Sequence, residues 1–158
     1  MFLRDYPAEL TPNGEGGFVV TFPDVPEAIT EIMDESELEE TATDCLVTAV
    51  DFYIEDHRPF PAPSKKKKNQ VIIQLPVSIS AKILLLNTMI ANNIRPVDLA
   101  RKMGIKPQEV NRIIDTGHTT KIDTIAKALS VLGKNLQLSI RWSITGVILK
   151  QGVFRRQR

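Results

Sequence analysis

The sequence predicts an α+β protein. A hairpin-led antiparallel sheet packed by one helix comes first, and an all-helical helix-turn-helix unit flanked by short strands follows. Three observations carry this. Two apolar, alternating segments flank a Gly-rich turn within the first 22 residues. Apolar residues then recur every three or four positions from Leu38 to Tyr53. Finally, the charge changes sign at a proline- and lysine-rich stretch, after which four short helical patterns follow.

The chain has 158 residues, 42% hydrophobic and 25% charged, an ordinary globular composition with room for one domain or two small ones. Its net charge of +1 hides a polarity. Residues 1–64 carry two basic groups, Arg4 and Arg58, against fifteen acidic ones, a net charge of −13. Residues 65–158 carry eighteen basic groups against Asp98, Glu109, Asp115 and Asp123, a net charge of +14. The basic half suits phosphate, and the acidic half suits a basic protein. Cys45 is the sole cysteine and leaves no partner for an internal disulfide. The start lacks a basic-then-apolar leader, and the longest apolar runs, such as "ILLL" at 83–86, fall far short of the ~20 residues that span a membrane. A cytoplasmic protein without membrane contact or cofactor is expected.

Tyr6, Ala8 and Leu10 alternate with polar neighbours, so 6–10 reads as a strand, and "FVVTF" at 18–22 as its hairpin partner across "TPNGEGG". A short third strand is expected at 28–32. Leu38, Ala42, Cys45, Leu46, Ala49 and Tyr53 form one stripe of a helix over 36–56, with Ser36 and Glu39 as a capping box. Glu40, Asp44, Asp51 and Glu55 take its other face. Prolines 59, 61 and 63 preclude helix, and Lys65 to Lys68 repel one another. The predicted organisation is an acidic domain at 1–60, a linker at 61–69, a DNA-binding and dimerisation domain at 70–142 and an unassigned tail at 143–158. Within the third segment a strand is expected at 70–75 and a helix capped by Ser80 at 81–93. "RPVDLARKMG" and "KPQEVNRIID" form two short helices, "KIDTIAKALSVLG" forms another, and 135–142 alternates like a strand.

The spacing in "DLARKMGIKPQEVNRIID" is that of two helices crossing through a tight turn. Ala100 is small where the helices touch. Gly104 admits a left-handed backbone. Leu99, Met103, Ile105, Val110 and Ile113 plug the angle, and Pro107 is tolerated in the first turn of the second helix. The outward face of that helix presents Gln108, Asn111 and Arg112, with Lys106 at its mouth. Gln or Asn can pair with adenine, and Arg or Lys with guanine. Glu109 is read as a partner of Arg112, three residues on. Thr119, Thr120 and Lys121 precede the next helix and suit a phosphate, although Thr120 also suits a plain helix cap. One such reader covers only ~4–5 base pairs, so a homodimer on a palindrome, or a pair of dimers as a tetramer, is expected. Edge strands at 70–75 or 135–142 offer a pairing surface.

The stretch "YPAELTPNGEGGFVVTFPDVPEAITE" resembles the start of the HicB family, antitoxins of bacterial HicAB toxin–antitoxin modules. "AVDFYIEDHRPFPAPS" is similar to the end of the same domain, and "VIIQLPVSISAKILLLN" through "KALSVLGKNLQLSI" resembles the helix-turn-helix subgroup of that family. The likeness runs over roughly residues 5–140. It implies a partial RNase H-like fold for the N-terminal domain and a HicA-type toxin, a small basic mRNA-cleaving RNase, as its partner. It further implies that the antitoxin covers the toxin's active site and that its helix-turn-helix represses the module's own promoter. The hairpin and following loop, around Phe22, Asp24, Val25 and Glu27, are the expected toxin contact.

Catalysis is not expected. Phosphoryl hydrolysis needs carboxylates converging on metal ions, and no spacing singles out Asp24, Asp51 and Asp56. His118 has no second ligand nearby and reads as a loop residue. The rival reading is a stand-alone transcriptional regulator with a ligand-sensing N-terminal domain. It would need an apolar pocket, which nothing in residues 1–60 suggests.

Overall fold

The hairpin turn is built by one side chain. Asn13 Oδ1 accepts from the backbone N–H groups of Glu15 and Gly17, both at 2.9 Å. In this computed structural model, which describes residues 4–140, the turn joins β1 (Asp5–Pro12) to β2 (Phe18–Thr21). β2 pairs in turn with β3 (Ile29–Ile32), Val20 opposite Leu10 on one side and Thr30 on the other. Gly17 is required where it stands, because a Cβ there would come within 2.3 Å of the Ile32 carbonyl oxygen.

Helix α1 (Leu38–Glu55) lays Ala42, Leu46, Ala49, Val50 and Tyr53 against this sheet. Its entry differs from the expected Ser36–Glu39 box. A 3-10 turn, Glu35–Glu37, precedes the helix and draws Ser36 inside, where its N–H donates to Asp34 Oδ1 at 2.7 Å. Glu37, rather than Glu39, reaches back to the Met33 N–H.

The strand expected at 70–75 forms as β4 (Val71–Gln74), but it does not join the helical half. It pairs antiparallel with β1, Asp5 opposite Gln74 and Ala8 opposite Val71, and completes a sheet of order β3-β2-β1-β4. The stretch between is a strap. Phe60 is buried edge-on between Tyr6 and Tyr53, with ring centroids 5.6 and 4.9 Å away. The Tyr6 hydroxyl donates to the Pro61 carbonyl at 2.7 Å, and Asn87 brackets the Phe60 backbone with one accepted and one donated bond. Asp24 accepts from both the N–H and the hydroxyl of Ser64. Prolines rule out helix here, but their rigidity suits a chain pinned at Phe60, Pro61 and Ser64.

Helix α2 (Val77–Ala91) starts four residues before the expected position. Pro76 stands at its N-cap, and burial of Ile79 and Ile83 against the sheet draws the first turn in. Ser80 therefore lies inside the helix and its N–H donates to Pro76 O, so it caps nothing. The short helices α3 (Pro96–Met103), α4 (Pro107–Ile114) and α5 (Ile122–Val131) close a second apolar core around Leu99, Val110, Ile125 and Leu129. α2 serves both cores. Ile79 and Ile83 enter the first, while Ala81, Leu85, Leu86 and Met89 enter the second.

The strand expected at 135–142 is absent over 135–140. This segment pairs with no strand among the described residues, and the sheet is complete with β4 at its edge. Leu136 packs on the second core, whereas Leu138 and Ile140 stand 73% and 103% exposed. Residues 141–142 of that expectation, and the 143–158 tail, lie outside the described residues. Among the described residues no single helix is long and apolar enough to cross a membrane.

Candidate functional site

α3 and α4 meet as their spacing requires. Gly104 ends α3 in the left-handed conformation, φ 70°, and the Ile105 N–H returns to the Ala100 carbonyl at 3.0 Å. Ala100, Leu99, Val110 and Ile113 are buried between them. Lys106 is the N-cap of α4 and Pro107 its first residue. Glu109 does not pair with Arg112. Its carboxylate accepts from the Lys106 backbone N–H at 2.9 Å, the half of a capping box that remains where the N-cap lysine has no acceptor of its own. Asp98 does the same for Arg95 at the head of α3, and that guanidinium holds its carboxyl below the usual carboxylate range.

With Glu109 turned back to the start of α4, Gln108, Asn111 and Arg112 are all exposed, and their side chains make no hydrogen bond or ion pair among the described residues. Arg112, Thr119, Thr120 and Lys121 share one cleft of about 600 Å³ beside the start of α5. Asp123 also lines it and opposes an anion there. Asn111 faces a different cleft of about 460 Å³, floored by Leu86, Met89 and Ile90 of α2. Lys106 and Gln108 line neither. Thr120 is not the cap of α5. Lys121 occupies that position, and the Thr120 hydroxyl makes long contacts, 3.4 and 3.5 Å, to the carbonyls of Arg112 and His118.

Two residues that hold this cleft in shape were not anticipated. Lys82 of α2 is 2% exposed, and its ammonium donates to the backbone carbonyls of Asp115 and His118. It thereby fixes the loop that carries Thr119 to Lys121. Burial pushes its pKa down, and the nearby charges of Asp115 and Asp51 push it back up. Asp51 of α1 accepts from the Thr116 hydroxyl in the same loop. The one available sequence signal was a lysine interrupting the apolar run "SAKILLL".

The four residues expected to meet a partner are mostly structural. Phe22 and Val25 are buried, 1% and 0% exposed, because the loop after β2 folds over the sheet end through the Val25 N–H to Phe22 O bond. Their side chains are therefore not at the surface, while Pro23, Pro26 and Glu27 of the same loop are. Asp24 is engaged by Ser64. Glu27 accepts from the Tyr53 hydroxyl at 2.8 Å and from Arg58, whose guanidinium lies 4.3 Å over the Tyr53 ring. The Tyr53 hydrogen bond, before Arg58, holds the Glu27 carboxyl below its ordinary value. Asp51 and Asp56 join separate contacts, to Thr116 and Arg58. Among the described residues no three His, Cys, Asp or Glu side chains gather as a metal site.

Residues 5–84 match the family model described as a HicB-like antitoxin of bacterial toxin–antitoxin systems. That match ends within α2, past the strap and β4. Antitoxin HicB 2 of Photorhabdus laumondii is 48% identical over 133 residues, which cover 84% of this chain and 94% of the relative. Antitoxin HicB of Escherichia coli K12 is 43% identical over 133 residues, 84% of this chain and 96% of the relative. Antitoxin HicB of Pseudomonas fluorescens is 31% identical over 100 residues. The similarity to the first two spans both apolar cores, and the chain belongs to the HicB-like antitoxin family of bacterial toxin–antitoxin systems.

Proposed function

We propose that this chain neutralises a HicA-type mRNA-cleaving toxin by covering its active site, and that it represses its own operon by binding operator DNA as a homodimer. The observation that carries this is polarity joined to family membership. A −13 segment precedes a +14 segment in a chain similar along 84% of its length to proteins named antitoxin. An acidic surface attracts an RNA-binding enzyme by presenting charge of the same sign as its substrate.

For the DNA contact, α3 and α4 act as a helix-turn-helix. Gln108, Asn111 and Arg112, with Lys106 at the mouth of α4, read base edges in the major groove, and Thr119, Thr120 and Lys121 hold phosphate. Support comes from the exposed, internally unbonded side chains on α4 and from the cleft that gathers Arg112 with the threonines and Lys121. Leu138 and Ile140, exposed on an extended segment, supply an apolar edge for a second copy.

Coexpression with the product of the adjacent gene tests both halves. A complex of defined mass that suppresses RNA cleavage, together with a shifted promoter fragment, is the expected result. An unchanged cleavage rate with stoichiometric chain present excludes the antitoxin half. A promoter fragment bound no better than unrelated DNA at the same salt excludes the repressor half.

A further inference from the structure

β3 is the outermost strand of the sheet, and α1 runs alongside it. Between them lies a groove of about 490 Å³. One wall is Ile29 and Thr30 of β3, a strand whose far side meets no strand among the described residues. The other wall is a stripe of α1 at intervals of four, Glu40, Asp44, Thr48 and Phe52. Ile29 and Phe52 are 61% and 49% exposed, although both are large and apolar. An open strand with an apolar rim invites pairing, and proteins usually blunt such edges with lysine, proline or a covering loop. β3 carries neither lysine nor proline, and only its four-residue length and Glu31 blunt it. The charge here is negative, from Glu27, Glu40 and Asp44. The opposite edge, β4, follows Lys65 to Lys68, so the two edges present opposite charge.

We propose that the β3–α1 groove receives an extended strand of the basic toxin, which adds to β3 by main-chain hydrogen bonds. Ile29 and Phe52 contact an apolar side chain of that strand, and Glu40 and Asp44 meet its cationic ones. Strand addition draws affinity from backbone pairing and specificity from the flanking pockets. The acidic wall selects a cationic strand and the lysine-flanked edge rejects one. This rests on the antitoxin reading and gives it a surface, which the burial of Phe22 and Val25 had left open.

The test uses the full chain and the protein encoded beside its gene. In the unaltered chain, amide exchange at 29–32 slows when that protein is added. The double variant Asp44→Lys, Thr48→Arg cancels the groove's negative charge through two exposed positions. Its dissociation constant for the partner rises about tenfold or more at fixed salt, while operator binding stays at the parent value. Glu15→Lys, at the exposed hairpin tip, changes the dissociation constant less than about twofold. Parent-like partner binding by the double variant overturns the proposal. So does slowed exchange confined to another surface, or slowing at 29–32 in the free chain with a doubled mass, which would seat a second copy there. The exchange measurement needs no variant, so it decides the matter even where the double variant melts early. A parent chain that binds nothing removes the antitoxin reading itself, a distinguishable result.

Discussion

Arg112 lines the cleft, Lys82 holds the loop that bounds it, and the two fail in different ways when altered. Arg112 is exposed and free of internal partners, so Arg112→Ala leaves the fold alone. Operator binding is expected to weaken by about 1–3 kcal/mol at constant salt, with the thermal midpoint unmoved, and toxin inhibition is expected to persist. Equal loss of both activities would refute the separation of surfaces. Lys82→Met keeps the volume but strips the donor from the Asp115 and His118 carbonyls. Buried acceptors without partners cost about 1–3 kcal/mol, so the variant is expected to melt earlier and to exchange amides faster at 116–121. An unmoved melting curve would show that water replaces the ammonium. Glu27 offers a pH readout. Its carboxyl is held below the ordinary value first by the Tyr53 hydroxyl, so the folded state binds that proton less readily than the unfolded one. The stabilisation is present above the ordinary glutamate value and is lost as pH falls through the lowered one. Glu27→Gln is expected to flatten the acid limb of the stability profile between those values. An acid limb identical to the parent's would assign it elsewhere.

At the scale of elements, the turn between α3 and α4 is the most demanding. Gly104 holds φ 70° with nothing near its Cβ position, so the strain of Gly104→Ala is purely conformational. About 1–2 kcal/mol is expected from the left-handed backbone, measured by denaturant midpoint at unchanged slope. A neutral result would mean that α3 ends differently. This turn was legible in the sequence because its constraints are local: a small residue, a left-handed residue and five apolar plugs within fifteen positions. The α1 stripe was legible for the same reason. What escaped depends on distant chain. β4 looked like a strand at 70–75, but nothing in "VIIQ" names β1 as its partner 65 residues earlier. Ser80 resembled a cap because Ser-Ala-Lys fits one locally, whereas burial of Ile79 moved the helix start. The alternation at 135–140 promised a strand whose pairing partner lies in no described segment. Phe22 and Val25 failed as surface residues because the loop's direction over the sheet end is a tertiary outcome.

At the scale of the whole molecule, the sign change in charge and the folding boundary do not coincide. Charge reverses at the strap, whereas the sheet takes its last strand from beyond it. α2 then lends one face to each core, and Asp51 of α1 bonds the loop ahead of α5. Two cores that share a helix lose contacts together. Freeing either one exposes Ile79 and Ile83, or Leu85, Leu86 and Met89, to water at about 25 cal/mol per Å² of apolar surface. The full chain is therefore expected to unfold in one transition, with far-ultraviolet circular dichroism and amide exchange in both halves giving one midpoint. A fragment ending at residue 64 keeps nearly all of the negative charge but lacks β4, Asn87 and the α2 side chains that close its core. It is expected to be unfolded, whereas one ending at residue 91 retains all four strands and α2. Two separated midpoints in the full chain, or native-like dichroism in the 64-residue fragment, would show that the acidic half stands alone and that α2 merely lies against it.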